Sequence, residues 1–354
     1  MNVKQFIESS KGIKPYRPTP LLETTDIIKL NSNENLFLSK EFIQGLVSEA
    51  ALETDPRLYP LGEEQELKQM IAELNNIEPD QVMVSAGGDQ VIELLFSLLS
   101  RGDSVTAVTP TFSMYPQAAK QRGIELGQAS LRPDFSLDVK RTLEVAEGSQ
   151  MLVVCNPNNP TGNQFPKPDI MELVEGFNGL MLVDEAYTEY SDYSIAELTK
   201  DYDNLIVLRT FSKAYGLAGL RLGYCISNTE LAMTLRDRFM MPFPVSNLVL
   251  KTGGKVLEQN QLVMDAVDET KKLRDWLVSE LNNLDGVEAY PSDANFVLFN
   301  TEKPYNEVYE ELQSKGIILS KQGKVLDKEN CLRVTIAPKP MLERLLKALK
   351  EATK

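Results

Sequence analysis

Between residues 104 and 208, short apolar runs alternate regularly with amphipathic segments of helical period. The apolar runs predict strands near 104–109, 124–129, 151–155, 180–183 and 205–208, and the segments between them predict helices near 113–122, 138–146 and 167–176. Strands that alternate with helices pair in parallel, and the helices cover both faces of the resulting sheet. This alternation therefore predicts an α/β fold built on a large, mostly parallel sheet.

The segments on either side of this region extend the prediction. Before it, the pattern predicts helices at 39–52 and 63–75, a strand at 81–85 and a helix from Asp89 onward. After it come a long helical region at 247–283, interrupted at Gly253 and Gly254, then strands at 286–290, 295–299, 317–319 and 331–336 and helices at 305–314 and 339–352. We predict a large α/β domain at 31–270, and a smaller α+β domain formed by 1–30 together with 271–354.

The residue counts exclude several classes of function. The chain contains no histidine, so Ser-His-Asp and Cys-His catalysis and histidine-based metal sites are excluded, and we expect no metal. A net charge of −14 disfavours nucleic acid and anionic membranes as partners. No apolar run reaches the roughly eighteen residues of a membrane-spanning helix, and we expect no signal peptide. Three cysteines in apolar contexts predict reduced thiols in a cytoplasmic protein.

Polar and aromatic residues follow four of the predicted strands. They are the segments at 110–115 (PTFSMY), 156–162 (NPNNPTG) and 184–187 (DEAY), and the block at 209–224 that contains Lys213. Binding sites of parallel sheets form beyond the carboxyl ends of the strands. We therefore expect these four segments to meet at one edge of the sheet.

The block at 209–224 (RTFSKAYGLAGLRLGY) holds the residues with the clearest chemistry. Lys213 follows a buried strand among apolar neighbours, which makes it a candidate for a lowered pKa and Schiff-base chemistry. Taken alone, the same pattern also fits an ordinary exposed turn lysine. Ser212 and Arg221 are suited to holding a phosphate group. The turn at Gly87 and Gly88, which leads from a strand into a helix, is a second candidate for anion binding.

These residues together describe a pocket for an aromatic ring that carries a phosphate. Phe112 would stack on the ring, and Asn156 and Tyr187 would donate hydrogen bonds to a phenolate oxygen. Asp184 ends a buried strand, where a carboxylate is costly unless it meets a cation such as a protonated pyridine nitrogen. The cofactor predicted by this set is pyridoxal phosphate.

Several motifs, in order along the chain, carry a family resemblance. They are 30–35 (LNSNEN), 57–60 (RLYP), 87–89 (GGD), 110–115, 156–162, 184–187, 209–224 and 332–335 (LRVT). From about Tyr16 to the C-terminus the chain resembles fold-type I aminotransferases dependent on pyridoxal phosphate, and among them the histidinol-phosphate aminotransferases of histidine biosynthesis. The resemblance implies a seven-stranded sheet between helices and a homodimer with shared active sites.

The resemblance also implies a role for each candidate residue. Lys213 would bind the cofactor covalently and shuttle a proton, and Asp184 would keep the ring nitrogen protonated. The remaining cofactor-binding residues would be Gly88, Asp89, Gln90, Phe112, Asn156, Tyr187, Ser212 and Arg221, with Tyr59 reaching the cofactor of the neighbouring subunit. Arg333 would bind the carboxylate of glutamate or 2-oxoglutarate, and Tyr16 and Asn33 would close the site.

One departure from the family concerns the substrate. Family members commonly carry, before the LRVT motif, an arginine that helps to bind the substrate phosphate, and this chain has Ser320 followed by Lys321. Serine does not replace a bidentate clamp, and Lys321 is expected to leave the strand from its other face. The main prediction is a histidinol-phosphate aminotransferase. The alternatives are a general or aromatic amino-acid aminotransferase and, after it, a decarboxylase or lyase of phosphorylated amino acids. The net charge disfavours a cofactor-sensing module of a transcription regulator.

Overall fold

The computed structural model describes residues 2–10 and 27–354. Tyr16, predicted to close the site, lies outside the described residues. The strands are β1 (Ile28–Lys29), β2 (Val82–Ser85), β3 (Ser104–Thr109), β4 (Glu125–Ser130), β5 (Met151–Cys155), β6 (Leu180–Asp184), β7 (Leu205–Thr210), β8 (Gly223–Ile226), β9 (Val287–Ala289), β10 (Phe296–Thr301), β11 (Ile317–Ile318), β12 (Ser320–Val325) and β13 (Lys328–Thr335). The helices are α1 (Val3–Ser10), α2 (Lys40–Glu53), α3 (Glu63–Asn75), α4 (Gly88–Ser97), α5 (Met114–Arg122), α6 (Val139–Ala146), α7 (Lys167–Gly176), α8 (Thr229–Arg238), α9 (Asn247–Glu258), α10 (Asn260–Asn282), α11 (Tyr305–Ser314) and α12 (Lys339–Ala352).

The large sheet has seven strands in the order β2-β8-β7-β6-β5-β3-β4. Only β8 runs antiparallel to its neighbours, β2 and β7. The segment between β7 and β8 contains a single short 3₁₀ turn and no crossover helix, so the chain re-enters the sheet in the opposite direction. The mostly parallel sheet predicted from the alternation is confirmed.

Both faces of this sheet are covered by apolar packing. Successive residues of β5 belong to different clusters: Val153 packs in the cluster on one face, and Val154 in the cluster on the other. The same alternation relates Leu182 and Val183 in β6. Because side chains alternate between faces, a strand buried on both sides reads as a continuous apolar run, which is the pattern that predicted these strands.

A second, antiparallel sheet is formed by the C-terminal part of the chain, in the order β12-β13-β10-β9. Residues of α11 and α12 share one apolar core with β10 and β13. β1 pairs in parallel with β11, which ties the segment before the large sheet to this second unit. The predicted division at residue 270 falls within α10, and the domain boundaries stay a prediction.

Two details of the prediction were wrong. The strand expected at 317–319 is the short β11, and the longer β12 that follows was missed because its sequence, SKQGKV, lacks an apolar alternation. The helix break expected at Gly253 and Gly254 lies instead at Gln259, between α9 and α10. A Cβ built on Gly253 would lie 2.5 Å from Cδ2 of Leu222, so this glycine permits close packing of a continuous helix.

Helix α8 is a further element that the sequence pattern does not predict. It begins after Asn228, whose side-chain oxygen accepts a hydrogen bond from the N–H of Leu231 at 2.8 Å. Among the residues that the structure describes, no helix has the length and apolar character needed to cross a membrane.

Candidate active site

Two adjoining cavities lie at the carboxyl ends of the central strands. The inner cavity, of about 140 Å³, is lined by eight of the predicted residues: Gly88, Asp89, Phe112, Asp184, Tyr187, Ser212, Lys213 and Arg221. The outer cavity, of about 650 Å³, shares Phe112, Tyr187 and Lys213 with it and extends to Asn33 and Arg333. The segments that follow the predicted strands therefore meet at one edge of the sheet, as the parallel order requires.

Lys213 stands where the two cavities join. Its Nζ donates a hydrogen bond to the carbonyl oxygen of Ser32 at 2.9 Å and lies 5.7 Å from the centroid of the Tyr187 ring. Burial lowers the pKa of Lys213 to about 8, and the positive charge of Arg333 acts in the same direction. An amine with this pKa is partly neutral near pH 7 and can act as a nucleophile or accept a proton.

Asp184 ends β6 at the floor of the inner cavity. Its Oδ2 accepts a hydrogen bond from the Tyr115 hydroxyl at 2.7 Å, and its Oδ1 accepts one from the N–H of Ala186 at 3.1 Å. Burial raises the pKa of Asp184, and in the described part of the chain no cationic side chain forms an ion pair with it. A cationic group entering this cavity would restore the ionised carboxylate.

The Tyr187 hydroxyl is held by two amides. It accepts hydrogen bonds from Nδ2 of Asn33 at 2.9 Å and from Nδ2 of Asn159 at 3.4 Å. Since both partners donate, the hydroxyl keeps its own proton for a bond into the cavity. Burial raises the pKa of Tyr187 to about 12, so that proton is retained at neutral pH.

Arg221, Ser212 and the start of α4 form a cradle beside the inner cavity. Nη1 of Arg221 lies 3.5 Å from Oγ of Ser212, and its Nη2 contacts Oδ2 of Asp89 at 2.9 Å. Gly87 has a φ of 81°, and a Cβ there would lie 2.6 Å from Nη2 of Arg221. A guanidinium, a hydroxyl and a helix N-terminus are together suited to a phosphate group.

Arg333 projects from β13 into the outer cavity. Its Nη1 donates to Oδ1 of Asn159, its Nη2 donates to the carbonyl oxygen of Asn31 at 3.1 Å, and its guanidinium carbon lies 5.0 Å from the centroid of the Phe296 ring. These contacts hold the guanidinium in one plane at the cavity wall. A planar cation in this position is suited to a carboxylate.

Comparison with known proteins agrees with this geometry. The family model described as aminotransferase class I and II matches residues 25–349, which is most of the chain. The chain belongs to this family. A histidinol-phosphate aminotransferase from Clostridium novyi (strain NT) is 34% identical over 346 residues, covering 96% of each chain. The predicted fold and enzyme class, a fold-type I aminotransferase dependent on pyridoxal phosphate, are confirmed.

Solved structures share the fold of this aminotransferase. Histidinol-phosphate aminotransferase from Sinorhizobium meliloti, in complex with pyridoxal-5′-phosphate, superposes with a TM-score of 0.85 at 24% identity, covering 92% of this chain and 90% of that one. L-threonine-O-3-phosphate decarboxylase from Porphyromonas gingivalis has a TM-score of 0.79 at 21% identity, covering 92% and 99%. At these levels of identity, both similarities concern the fold alone.

The residues of the inner cavity fit pyridoxal phosphate. Asp184 is a buried carboxylate with no cationic partner among the described residues, as a pyridinium nitrogen requires. The Tyr187 hydroxyl offers a proton for a phenolate oxygen, and the cradle at Arg221 offers donors for a phosphate. Phe112 lines both cavities and contributes an aromatic face.

The structure does not bring Asn156 to the aminotransferase cavity. Its Nδ2 donates to the Tyr193 hydroxyl at 3.0 Å and its Oδ1 accepts from the N–H of Phe165 at 2.8 Å, so both ends of the amide are engaged elsewhere. Cys155 pairs in register with Asp184 and faces the cavity, so the next residue along the strand faces away. Asn159, in the same motif, lines the cavity instead, and it lies in the turn beyond the end of β5, where no strand period predicts the direction of a side chain.

Two further predicted residues lie apart from the cavities. The N–H of Gln90 donates to the carbonyl of Gly87 at 3.2 Å, and its Oε1 accepts from the N–H of Ala86 at 2.6 Å, so Gln90 supports the turn of the cradle. Tyr59 is 73% exposed and stacks on Phe243 with ring centroids 4.8 Å apart. It lies outside the lining of either cavity.

Proposed function

We propose that this chain is a cytoplasmic, homodimeric aminotransferase of histidine biosynthesis that transfers the amino group of histidinol phosphate to 2-oxoglutarate. The products are imidazole-acetol phosphate and glutamate. The observation that carries the proposal is the outer cavity, where Lys29, Lys321 and Arg333 line the wall and no acidic side chain of the described chain does. Such a wall favours an anionic substrate. The relative from Clostridium novyi supports the same substrate by its name and by its coverage.

The residues of the inner cavity would hold the cofactor. Arg221, Ser212 and the first N–H groups of α4 would bind its phosphate, and Asp184 would bind the ring nitrogen. Tyr187 would donate to the phenolate oxygen, and Asn159 takes the place predicted for Asn156. When bound, pyridoxal phosphate supplies an electron sink for the bond electrons that remain on the substrate carbon after deprotonation.

Lys213 would move the proton in this reaction. Its Nζ would accept the proton from the substrate carbon that bears the amino group and return it after the electrons have shifted. The lowered pKa of Lys213 leaves a usable fraction of the neutral amine at pH 7, which this role requires. Asn33 and Asn159 orient the Tyr187 ring beside this amine through their bonds to its hydroxyl.

Arg333 would bind the carboxylate of 2-oxoglutarate. Its guanidinium lies in the outer cavity and is aligned by Asn159 and the Asn31 carbonyl, so a bidentate contact needs little further ordering. The exposed Tyr59 would reach the cofactor phosphate of the second subunit, which makes the dimer part of the active site.

A donor assay tests the proposal. Protein loaded with pyridoxal phosphate is mixed with one amino donor at a time, without 2-oxoglutarate, and the absorbance of the bound cofactor is followed. We expect a rapid change with histidinol phosphate and a slow one with tyrosine or phenylalanine. The reverse order would overturn the proposed substrate in favour of an aromatic amino-acid aminotransferase.

Two measurements separate the remaining possibilities. Release of carbon dioxide or ammonia without a requirement for 2-oxoglutarate would identify a decarboxylase or lyase instead.

The variant Lys213→Ala should retain the cofactor noncovalently and lose amino transfer, and retained turnover would remove Lys213 from the mechanism. The aromatic alternative is favoured by one observation, namely that the short, neutral Ser320 stands across from Arg333.

A further inference from the structure

The outer cavity is bounded on one side by β12, the outermost strand of the smaller sheet. Ser320 pairs with Arg333 across the two strands, so the two side chains leave from the same face. Oγ of Ser320 accepts a hydrogen bond from Nε2 of Gln322 at 2.8 Å. This position therefore contributes a neutral, locally bonded hydroxyl to the cavity and no charge.

Lys321 reaches the same cavity by a different route. It pairs with Leu332, which is buried, so its side chain starts from the opposite face, as the sequence analysis expected. Among the described strands, β12 pairs only with β13, and this pairing is irregular between Lys321 and Gly323. Its long side chain nevertheless lines the outer cavity, together with Tyr309.

The ammonium of Lys321 is not neutralised by the described part of the protein. Its Nζ lies 4.6 Å from the centroid of the Tyr309 ring, a cation–π contact, and it forms no ion pair with any described residue. By contrast, Lys29 in the same cavity contacts the carboxylate of Glu34, and Lys324 on the same strand contacts that of Glu329. Tyr309 thus positions a lysine whose charge remains available to an anion at the cavity wall.

We propose that Lys321 binds the phosphate group of the substrate, at the opposite end of the molecule from the amino group that reacts. The inference rests on the proposed function, because it assumes a phosphorylated amino donor. An ammonium on a flexible stem offers a point charge and lacks the planar fork of an arginine. The charge lost by having serine at position 320 is in this way supplied by the next residue, from the edge of the strand.

The experiment compares Lys321→Gln with Lys324→Gln in the holoenzyme. The control removes a lysine of the same strand that already has a carboxylate partner and lies outside the cavity lining. For histidinol phosphate we expect KM to rise about tenfold in Lys321→Gln, with kcat little changed, since one charge-assisted contact is lost. For histidinol, which lacks the phosphate, KM should stay the same, and Lys324→Gln should match the unsubstituted enzyme with both donors.

Two outcomes overturn the assignment, and they are separable from failure of the proposed function. An unchanged KM for histidinol phosphate in Lys321→Gln, or an equal rise for both donors, shows that Lys321 does not bind the phosphate.

If the unsubstituted enzyme does not prefer histidinol phosphate to histidinol, the proposed function fails. Inorganic phosphate is then tested as a competitive inhibitor of whichever donor is used. Weaker inhibition in Lys321→Gln supports the anion site, and equal inhibition overturns it.

Discussion

At the scale of single residues, burial decides the chemistry of the site. Lys213 and Lys324 are both lysines near strands, but one stands at the join of two cavities and the other is exposed beside Glu329. Burial favours the neutral amine in the first case, whereas a carboxylate favours the ammonium in the second. Asp184 shows the same effect with opposite sign, because burial raises the pKa of a carboxylic acid.

The lowered pKa of Lys213 predicts a pH dependence. The neutral amine is the reactive form, and its fraction rises as pH increases through about 8, whereas an ordinary lysine would need a pH near 10.5. The rate at which cofactor-free protein takes up pyridoxal phosphate, followed by stopped-flow absorbance, should therefore rise with a midpoint near pH 8. In Arg333→Gln a positive neighbour is removed, so the midpoint should move to higher pH. A midpoint near 10.5 in the unsubstituted protein would contradict the assignment.

Ser320→Arg should strengthen the use of phosphorylated donors. Position 320 faces the same side as Arg333, so an arginine there would add a bidentate contact to a phosphate. We expect KM for histidinol phosphate to fall about tenfold, with KM for histidinol unchanged. Steady-state kinetics with both donors checks this, and an unchanged pair of values would mean that residue 320 does not reach the substrate.

At the scale of elements, the cradle depends on how closely β8 approaches the turn between β2 and α4. A Cβ built on Gly223 would lie 2.7 Å from the carbonyl carbon of Gly87 and from the nitrogen of Gly88. Both are backbone atoms, which cannot rotate away as a side chain does. The close approach brings Arg221, two residues earlier, against the start of α4.

Gly223→Ala should therefore weaken cofactor binding. Displacing the turn at Gly87 and Gly88 moves the phosphate donors away from Arg221, and overpacking of this kind costs about 1–3 kcal/mol. We expect a loss of affinity for pyridoxal phosphate of about tenfold to hundredfold in a fluorescence titration. Gly219→Ala is the matched control, because a Cβ there has no atom within 4 Å among the described residues. Equal affinities in the two variants would show that the turn is not constrained.

At the scale of the whole molecule, an exposed apolar surface is left beside the buried cores. Tyr59, Leu61, Met241 and Phe243 are each more than half exposed, and Tyr59 stacks on Phe243 across two distant segments of the chain. Exposed apolar patches of this kind mark interaction surfaces. This patch includes Tyr59, which we propose reaches the active site of the second subunit. We therefore propose that the patch is the dimer interface.

Leu61→Arg should dissociate the proposed dimer. The side chain is 87% exposed, so the substitution leaves the fold of one subunit intact while placing a charge in the interface. Sedimentation equilibrium should show a dimer for the unsubstituted protein and a monomer with reduced activity for the variant. Met341→Arg, at the start of α12, provides a control that should remain dimeric. A dimeric Leu61→Arg protein would place the interface elsewhere.

The sequence by itself determined the class of fold and most of the cofactor site. Alternation of apolar and amphipathic segments is a local property, and it suffices to order strands and helices into a parallel sheet. Because parallel strands end at one edge of the sheet, the same pattern predicts that the segments containing Asp184, Lys213 and Arg221 meet there.

Only the tertiary structure decided which neighbouring side chains enter the cavity. Asn156 is bonded to Tyr193 and Phe165 and stays outside the cavity, whereas Asn159 lines it. Lys321 lines the outer cavity although its side chain leaves β12 from the face opposite to that of Ser320. Gly253 allows a close helix contact where the sequence suggested a break. Each of these outcomes depends on residues far apart in the chain that meet only after folding, and a local pattern carries no information about such contacts.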